Sequence, residues 1–114
     1  MIQSFGQRGE ELAVAYLKGR GYAILHRNYR TPLGEADIIA RHEGALVFIE
    51  VKARSTVAFG QPFEAVDLRK QEKLKKIALY YVKHKKVDAP VRFDVISIIA
   101  GNGKEEIKHI REAF

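Results

Sequence analysis

The strongest constraint on this chain lies between Gly34 and Arg54, GEADIIARHEGALVFIEVKAR, where two runs rich in Ile, Val, Phe and Ala flank His42-Glu43-Gly44-Ala45. β-Forming apolar runs on either side of a Gly-containing turn predict an antiparallel hairpin. A loop of two residues, Glu43-Gly44, or of four, His42 to Ala45, gives the same register, with Asp37 facing Glu50 and Glu35 facing Lys52. Ala36, Ile38, Ala40, Val47, Ile49 and Val51 then share one wholly apolar face, the kind a sheet buries against a helix. The other face carries Glu35, Asp37, Glu50 and Lys52.

Directly opposed side chains in an antiparallel pair have Cβ atoms about 4.5–5.5 Å apart, and like charges there destabilise the sheet. Asp37 and Glu50 therefore need a cation or a proton between them. A hard divalent ion is the simplest cation, because it takes carboxylate oxygens. Lys52 points to the same side as Glu50, about 6.6–6.8 Å along the strand, which sets an ammonium beside that site. A plainer reading stays open for Glu35 and Lys52, a cross-strand ion pair with no further role. It leaves the facing of Asp37 and Glu50 unexplained.

The length, 114 residues, predicts one domain with a single modest core, and the 46% apolar content with three prolines predicts a folded chain. Cysteine is absent, which removes disulfides and thiolate zinc sites and fits a reducing cytoplasm. No basic-then-apolar leader opens the sequence, and no stretch reaches the roughly 18 apolar residues of a membrane span. The expectation is a cytoplasmic protein with no membrane partner. The net charge of +6 points to a polyanion such as nucleic acid.

In chain order, Ser4-Phe5-Gly6-Gln7 has the form of a capping box and predicts a helix to about Arg20, stopped by Gly21. Leu12, Ala13, Tyr16 and Leu17 form its apolar stripe, and Glu10 continues that stripe inward. Tyr22 to Arg30 reads as a strand, Thr31 to Gly34 as the turn into the hairpin, and Ser55 to Pro62 as a loop bordering a substrate cleft. Asp67 caps a helix predicted over Leu68 to Lys86, with Leu74, Ile77, Ala78, Tyr81 and Val82 toward the core. From Glu64 to Lys86, eight Lys or Arg stand against three acids. Arg69, Lys73, Lys76, Tyr80 and Lys83 lie along one side of that helix, either as a solvated face or as a track for phosphates. Val91 to Ile99 reads as a buried strand, Gly101-Asn102-Gly103 as a turn and Glu106 to Ile110 as a short edge strand.

Asp94 lies in an apolar strand on the same face as Arg92 and is read as a satisfied acid paired there. The four histidines are scattered. His42 in the hairpin loop and His84 among lysines predict surface roles, and Tyr80 and Phe59 are read as packing residues before base-stacking ones.

The order α-β-β-β-α-β with a further short strand, together with Asp37, Glu50-Val51-Lys52 and a helical Glu10, resembles the PD-(D/E)xK nuclease superfamily. The resemblance is closer still to the YraN-type family of small bacterial endonuclease-like proteins, which is similar to archaeal Holliday-junction resolvases. It is carried by Gly9-Glu10, Gly21-Tyr22, Arg27-Asn28, Gly34-Glu35 with Asp37, Phe48-Ile49-Glu50-Val51-Lys52, Arg54, Phe59-Gly60, Lys70 and Arg92-Phe93-Asp94, nearly the whole chain. Ala36 and Ala53 depart from it, standing where a larger aliphatic and a threonine are usual. The resemblance implies an α/β, restriction-endonuclease-like fold in which a mixed sheet is flanked by helices. It also implies a Mg2+- or Mn2+-dependent deoxyribonuclease.

Glu10, Asp37, Glu50 and Lys52 would then be catalytic, with Asp37, Glu50 and Glu10 on the metal. Arg54, Arg69, Lys70, Lys73 and Lys76 would contact nucleic acid. A junction-resolving activity would require two sites and hence a homodimer. The alternatives are a non-catalytic nucleic-acid-binding module that keeps the nuclease fold, or a protein whose basic helix meets an acidic partner.

Overall fold

The computed structural model describes residues 5–54, 66–101 and 104–114. Its elements are α1 (Phe5–Gly19), β1 (Ala23–Thr31), β2 (Gly34–His42), β3 (Ala45–Arg54), α2 (Leu68–Lys85), β4 (Val91–Gly101) and β5 (Lys104–Ile110). The five strands form one mixed sheet in the order β1-β2-β3-β4-β5, with β3 and β4 parallel and every other neighbouring pair antiparallel. This is the expected α/β architecture, with α2 lying in sequence between the two parallel strands, as a parallel connection requires.

The helices take opposite faces. Ala13, Val14 and Leu17 of α1 bury Ile38, Ala40, Val47, Ile49, Ile96 and Ile98, while Leu74, Ile77, Ala78 and Tyr81 of α2 bury Ile39, Leu46, Phe48 and Val95. β3 is consequently buried without interruption from Ala45 to Glu50. A strand covered on both faces has no polar side to alternate with. Ala36 differs from expectation: it joins the α2-side cluster rather than the face of Ile38. The ladder between β1 and β2 pairs Arg27 with Ile38 and Tyr29 with Ala36 but skips the level of Asn28 and Asp37. Asn28 lies at that level with φ 51°, in the left-handed region, while the register of this ladder shifts between Ile24 and His26.

The local chemistry of the turns accounts for most element ends. Glu43 and Gly44, at φ 51° and 78°, make a two-residue hairpin loop. The β2–β3 ladder runs from His42↔Ala45 to Ile38↔Ile49, the register expected from either loop length. β1 reaches Thr31 and β2 begins at Gly34, so the preceding turn is Pro32-Leu33, with the Thr31 hydroxyl donating to the Gly34 carbonyl at 2.8 Å. The Asp67 carboxylate accepts from the Lys70 N–H at 2.9 Å and caps α2, which ends at a left-handed Lys86. The Ser4 cap, the Ser55–Pro62 loop with Phe59, and the tip of the Gly101–Gly103 turn lie outside the described residues.

Candidate metal and nucleic-acid site

Asp37 and Glu50 come together where the hairpin ladder stops. The last paired residues are Ile38 and Ile49. Beyond them the Val51 N–H donates to Asp37 Oδ2 at 2.9 Å, so a side chain takes the place of a strand partner. The Glu50 side chain is only 5% exposed. Burial and the facing Glu50 carboxylate push Asp37 from 3.8 up to about 7, with Glu10 adding to the rise and the Val51 N–H opposing it. Two carboxylates withdrawn from water raise the cost of ionising both, and protonating Asp37 relieves it.

Glu10 arrives from α1 because Gly9 precedes it. A Cβ on Gly9 would lie 2.9 Å from the Ala53 Cβ, closer than real Cβ atoms approach, so the helix rests on β3 through a glycine facing an alanine. The Glu10 carboxylate then accepts a hydrogen bond from Asn28 Nδ2 at 3.0 Å. Asn28 holds Glu10 at the level of the sheet where Asp37 lies.

Two ammonium groups share the Glu50 carboxylate. Lys52 Nζ is 3.4 Å from Glu50 Oε1, and Lys70 Nζ from the first turn of α2 pairs with the same oxygen. Their affinities for the proton diverge. Burial, and then the neighbouring Lys70, lower Lys52. Burial also opposes the charged form of Lys70, but its hydrogen bond to Glu50 and the pull of Glu50 and Asp37 outweigh that and raise it. Glu35 is drawn elsewhere, to Arg30 Nε at 3.3 Å. The cross-strand pair of Glu35 with Lys52 is therefore not formed; Lys52 turns to Glu50.

Among the described residues, no three His, Asp or Glu groups form a ready cation cage. The structure brings Asp37, Glu50, Lys52 and Lys70 together and sets Glu10 within electrostatic reach on its Asn28 bond. Arg54 ends β3, partly buried. Arg69, Lys73 and Lys76 lie exposed along α2, and the Lys73 stem lies against Gly34 at the start of β2. Tyr80 stacks on His84 at 5.5 Å. Asn28 is the site residue that residue-by-residue reading passed over as an individual. An asparagine inside a β-forming run is the sign that could have marked it, since Asn tolerates the left-handed region.

A second polar cluster centres on Asp94 of β4, which pairs with Ile49, the residue before Glu50. Arg92 Nε donates to Asp94 Oδ1 at 2.9 Å, as their shared face predicts. The fully buried Asp94 also accepts from Tyr22 Oη and His109 Nε2, each at 2.8 Å. Burial alone would raise Asp94, but His109, Arg92 and Tyr22 together hold it well below the usual carboxylate range. His42 is not a surface loop residue: it ends β2, its side chain is 11% exposed, and its ring stacks on Tyr22 at 3.8 Å. The two-residue loop excludes it from the turn and turns it inward.

The Uncharacterised protein family UPF0102 matches residues 9–98, most of the chain. The chain belongs to that family. The UPF0102 protein of Thermodesulfovibrio yellowstonii is 50% identical over 109 residues, covering 96% of this chain and 94% of the relative. A UPF0102 protein of Bacteroides thetaiotaomicron is 50% identical over 109 residues, with 96% and 90% covered. One from Syntrophomonas wolfei is 45% identical over 115 residues and covers all of both chains. The UPF0102 match opens at Gly9 and spans Glu10, Asn28, Asp37, Glu50, Lys52, Lys70 and Asp94.

Proposed function

We propose that this chain is a metal-dependent endonuclease of the PD-(D/E)xK type, hydrolysing phosphodiesters of DNA, with branched or otherwise structured DNA as its substrate class. The observation that carries this reading is the pairing of a half-buried Asp37 with a buried Glu50, with Lys52 and Lys70 on Glu50 and Glu10 beside the pair. A carboxylate pushed up to about 7, by burial first and then by the facing Glu50, is a group whose ionised form a bound cation would stabilise. An all-oxygen donor set of this kind fits a hard divalent cation, magnesium or manganese. Asp37, Glu50 and Glu10 are the residues that would hold it.

When bound, such an ion lowers the pKa of its water and stabilises negative charge on the phosphodiester. Lys52, less basic than an ordinary lysine, suits orienting that water and taking its proton. Lys70 keeps its proton more firmly and suits steadying the phosphate. Asn28 fixes the direction of Glu10. Arg54, Arg69, Lys73 and Lys76 supply charge for the flanking backbone, and cleavage on both sides of a junction would call for a homodimer.

The test is cleavage of branched, duplex and single-stranded DNA with Mg2+ or Mn2+. Asp37→Ala, Glu50→Ala and Lys52→Ala are expected to lose cleavage while retaining DNA binding. Wild-type activity in all three would show that the site is wrong.

A second reading, a non-catalytic nucleic-acid-binding module, is favoured by the pairing of the Glu50 carboxylate with two lysines, Lys52 and Lys70. Under it, calorimetric titration with Mg2+ or Mn2+ gives no uptake, while DNA affinity still falls with salt at a double-logarithmic slope of about −0.9 per phosphate contacted.

A further inference from the structure

A cavity of about 240 Å3 opens between the end of α1, the end of β2 and the end of β5. His42 is five residues along β2 from Asp37, about 16 Å at the rise of a strand. Six residues line the cavity: Tyr16, Arg20, Tyr22, His42, His109 and Arg111. All six carry a side-chain group able to donate a hydrogen bond and none is acidic. Two carboxylates touch the lining: Asp94, fully buried and already occupied by Arg92, Tyr22, His109 and the Glu112 N–H, and Glu43, which pairs with Arg111 and lies 3.4 Å from His42 Nδ1.

The fixed partners leave donors to spare. His42 Nδ1 lies 3.0 Å from Arg92 Nη2 and 3.4 Å from Glu43 Oε1; a guanidinium can only donate, so the Arg92 contact suits the tautomer with its proton on Nε2. Arg20 lies over the Tyr16 ring, 4.8 Å from its centroid, with no carboxylate partner among the described residues. Arg111 pairs with Glu43, whose side chain is 61% exposed and stands outside the lining. Rigid, buried supports beneath the cavity and two guanidinium groups at its rim are the usual means of holding a tetrahedral oxyanion.

We propose that this cavity is a phosphate-binding site, separate from the Asp37–Glu50 centre and independent of the function proposed for it. Its ligand is a phosphate group carried by a small molecule such as a nucleotide or by the end of a nucleic-acid strand. Donors from several directions, two of them forked guanidinium groups, match a phosphate better than a planar carboxylate, which one fork would satisfy.

The test is an NMR titration of the full chain with inorganic phosphate at constant ionic strength, following the imidazole resonances of His42 and His109. Saturable shifts are expected, weakened about tenfold or more in Arg20→Gln and in Arg111→Gln, a loss of about 1.4 kcal/mol or more. Both arginines are exposed, and unchanged melting temperatures verify that these variants fold. Asp37→Asn is expected to bind phosphate as the wild type does. A nucleoside monophosphate or a 5′-phosphorylated oligonucleotide then competes, and whichever displaces phosphate identifies the source. The proposal is overturned by shifts that chloride reproduces, by wild-type affinity in both arginine variants, or by failure of both competitors.

Discussion

Asp37 exchanges a proton near neutrality because its carboxyl is pushed from 3.8 up to about 7. The folded protein therefore binds that proton more tightly than the unfolded chain does. The resulting stability is fully present below about pH 4 and is lost as pH rises through about 7, the direction required when the folded state holds the extra proton. Asp37→Asn keeps an acceptor for the Val51 N–H and removes the charge. It is expected to raise stability at pH 8 in the absence of divalent ions by roughly 1–3 kcal/mol and to flatten the pH dependence between 5 and 8, read from urea unfolding. An unaltered pH profile in this variant would refute the assignment. Much at this scale was legible beforehand, since charged residues two apart on a strand must share a face. Asn28 was not, because its role is defined by Glu10 on another element.

For the elements, the contact between α1 and β3 is the narrow place. Gly9 faces the Ala53 Cβ, whereas a Cβ on Gly6 would meet nothing within 4 Å. The two substitutions to alanine gain the same helix propensity, about 1 kcal/mol, so their difference isolates the contact. Gly6→Ala is expected to stabilise the protein; Gly9→Ala is expected to destabilise it by about 1–3 kcal/mol and to displace Glu10, measured as a fall in any metal affinity beyond the loss of stability. Equal effects at the two positions would mean that α1 does not rest on β3 through Gly9. The hairpin register and the Asp67 cap could be read from local chemistry, since two φ > 0 residues select the loop and a carboxylate meets an N–H three residues on. The burial of Ile39, Leu46 and Phe48 under α2 could not, because periodicity shows which residues share a face and not what covers it.

Across the whole molecule, the two polar centres lie near one another in one sheet, Asp94 pairing with Ile49 beside Glu50, and are built differently. Burial and a second carboxylate raise Asp37, whereas His109, Arg92 and Tyr22 together hold Asp94 low against its burial. Asp94 ties together the residue before β1, the start of β4 and the end of β5 through Tyr22, Arg92 and His109. Arg92→Met removes the principal cation and leaves a buried carboxylate short of a partner. A loss of about 3–5 kcal/mol in chemical denaturation is expected, and a loss under about 1 kcal/mol would mean that His109 and Tyr22 suffice. The Arg92–Asp94 pair was legible because two residues on one strand face meet locally. The inclusion of Tyr22, His42 and His109 was not, since those contacts span up to 87 residues of chain. The sequence by itself determined what depends on neighbours along the chain: two helices, the hairpin with its register, and the meeting of Asp37 with Glu50. Only the tertiary structure decided which charges share a carboxylate, giving Lys70 to Glu50, Arg30 to Glu35 and His109 to Asp94. The physical reason is that ion pairing and burial depend on distance in space, and the sheet brings together residues whose separation along the chain no periodicity encodes.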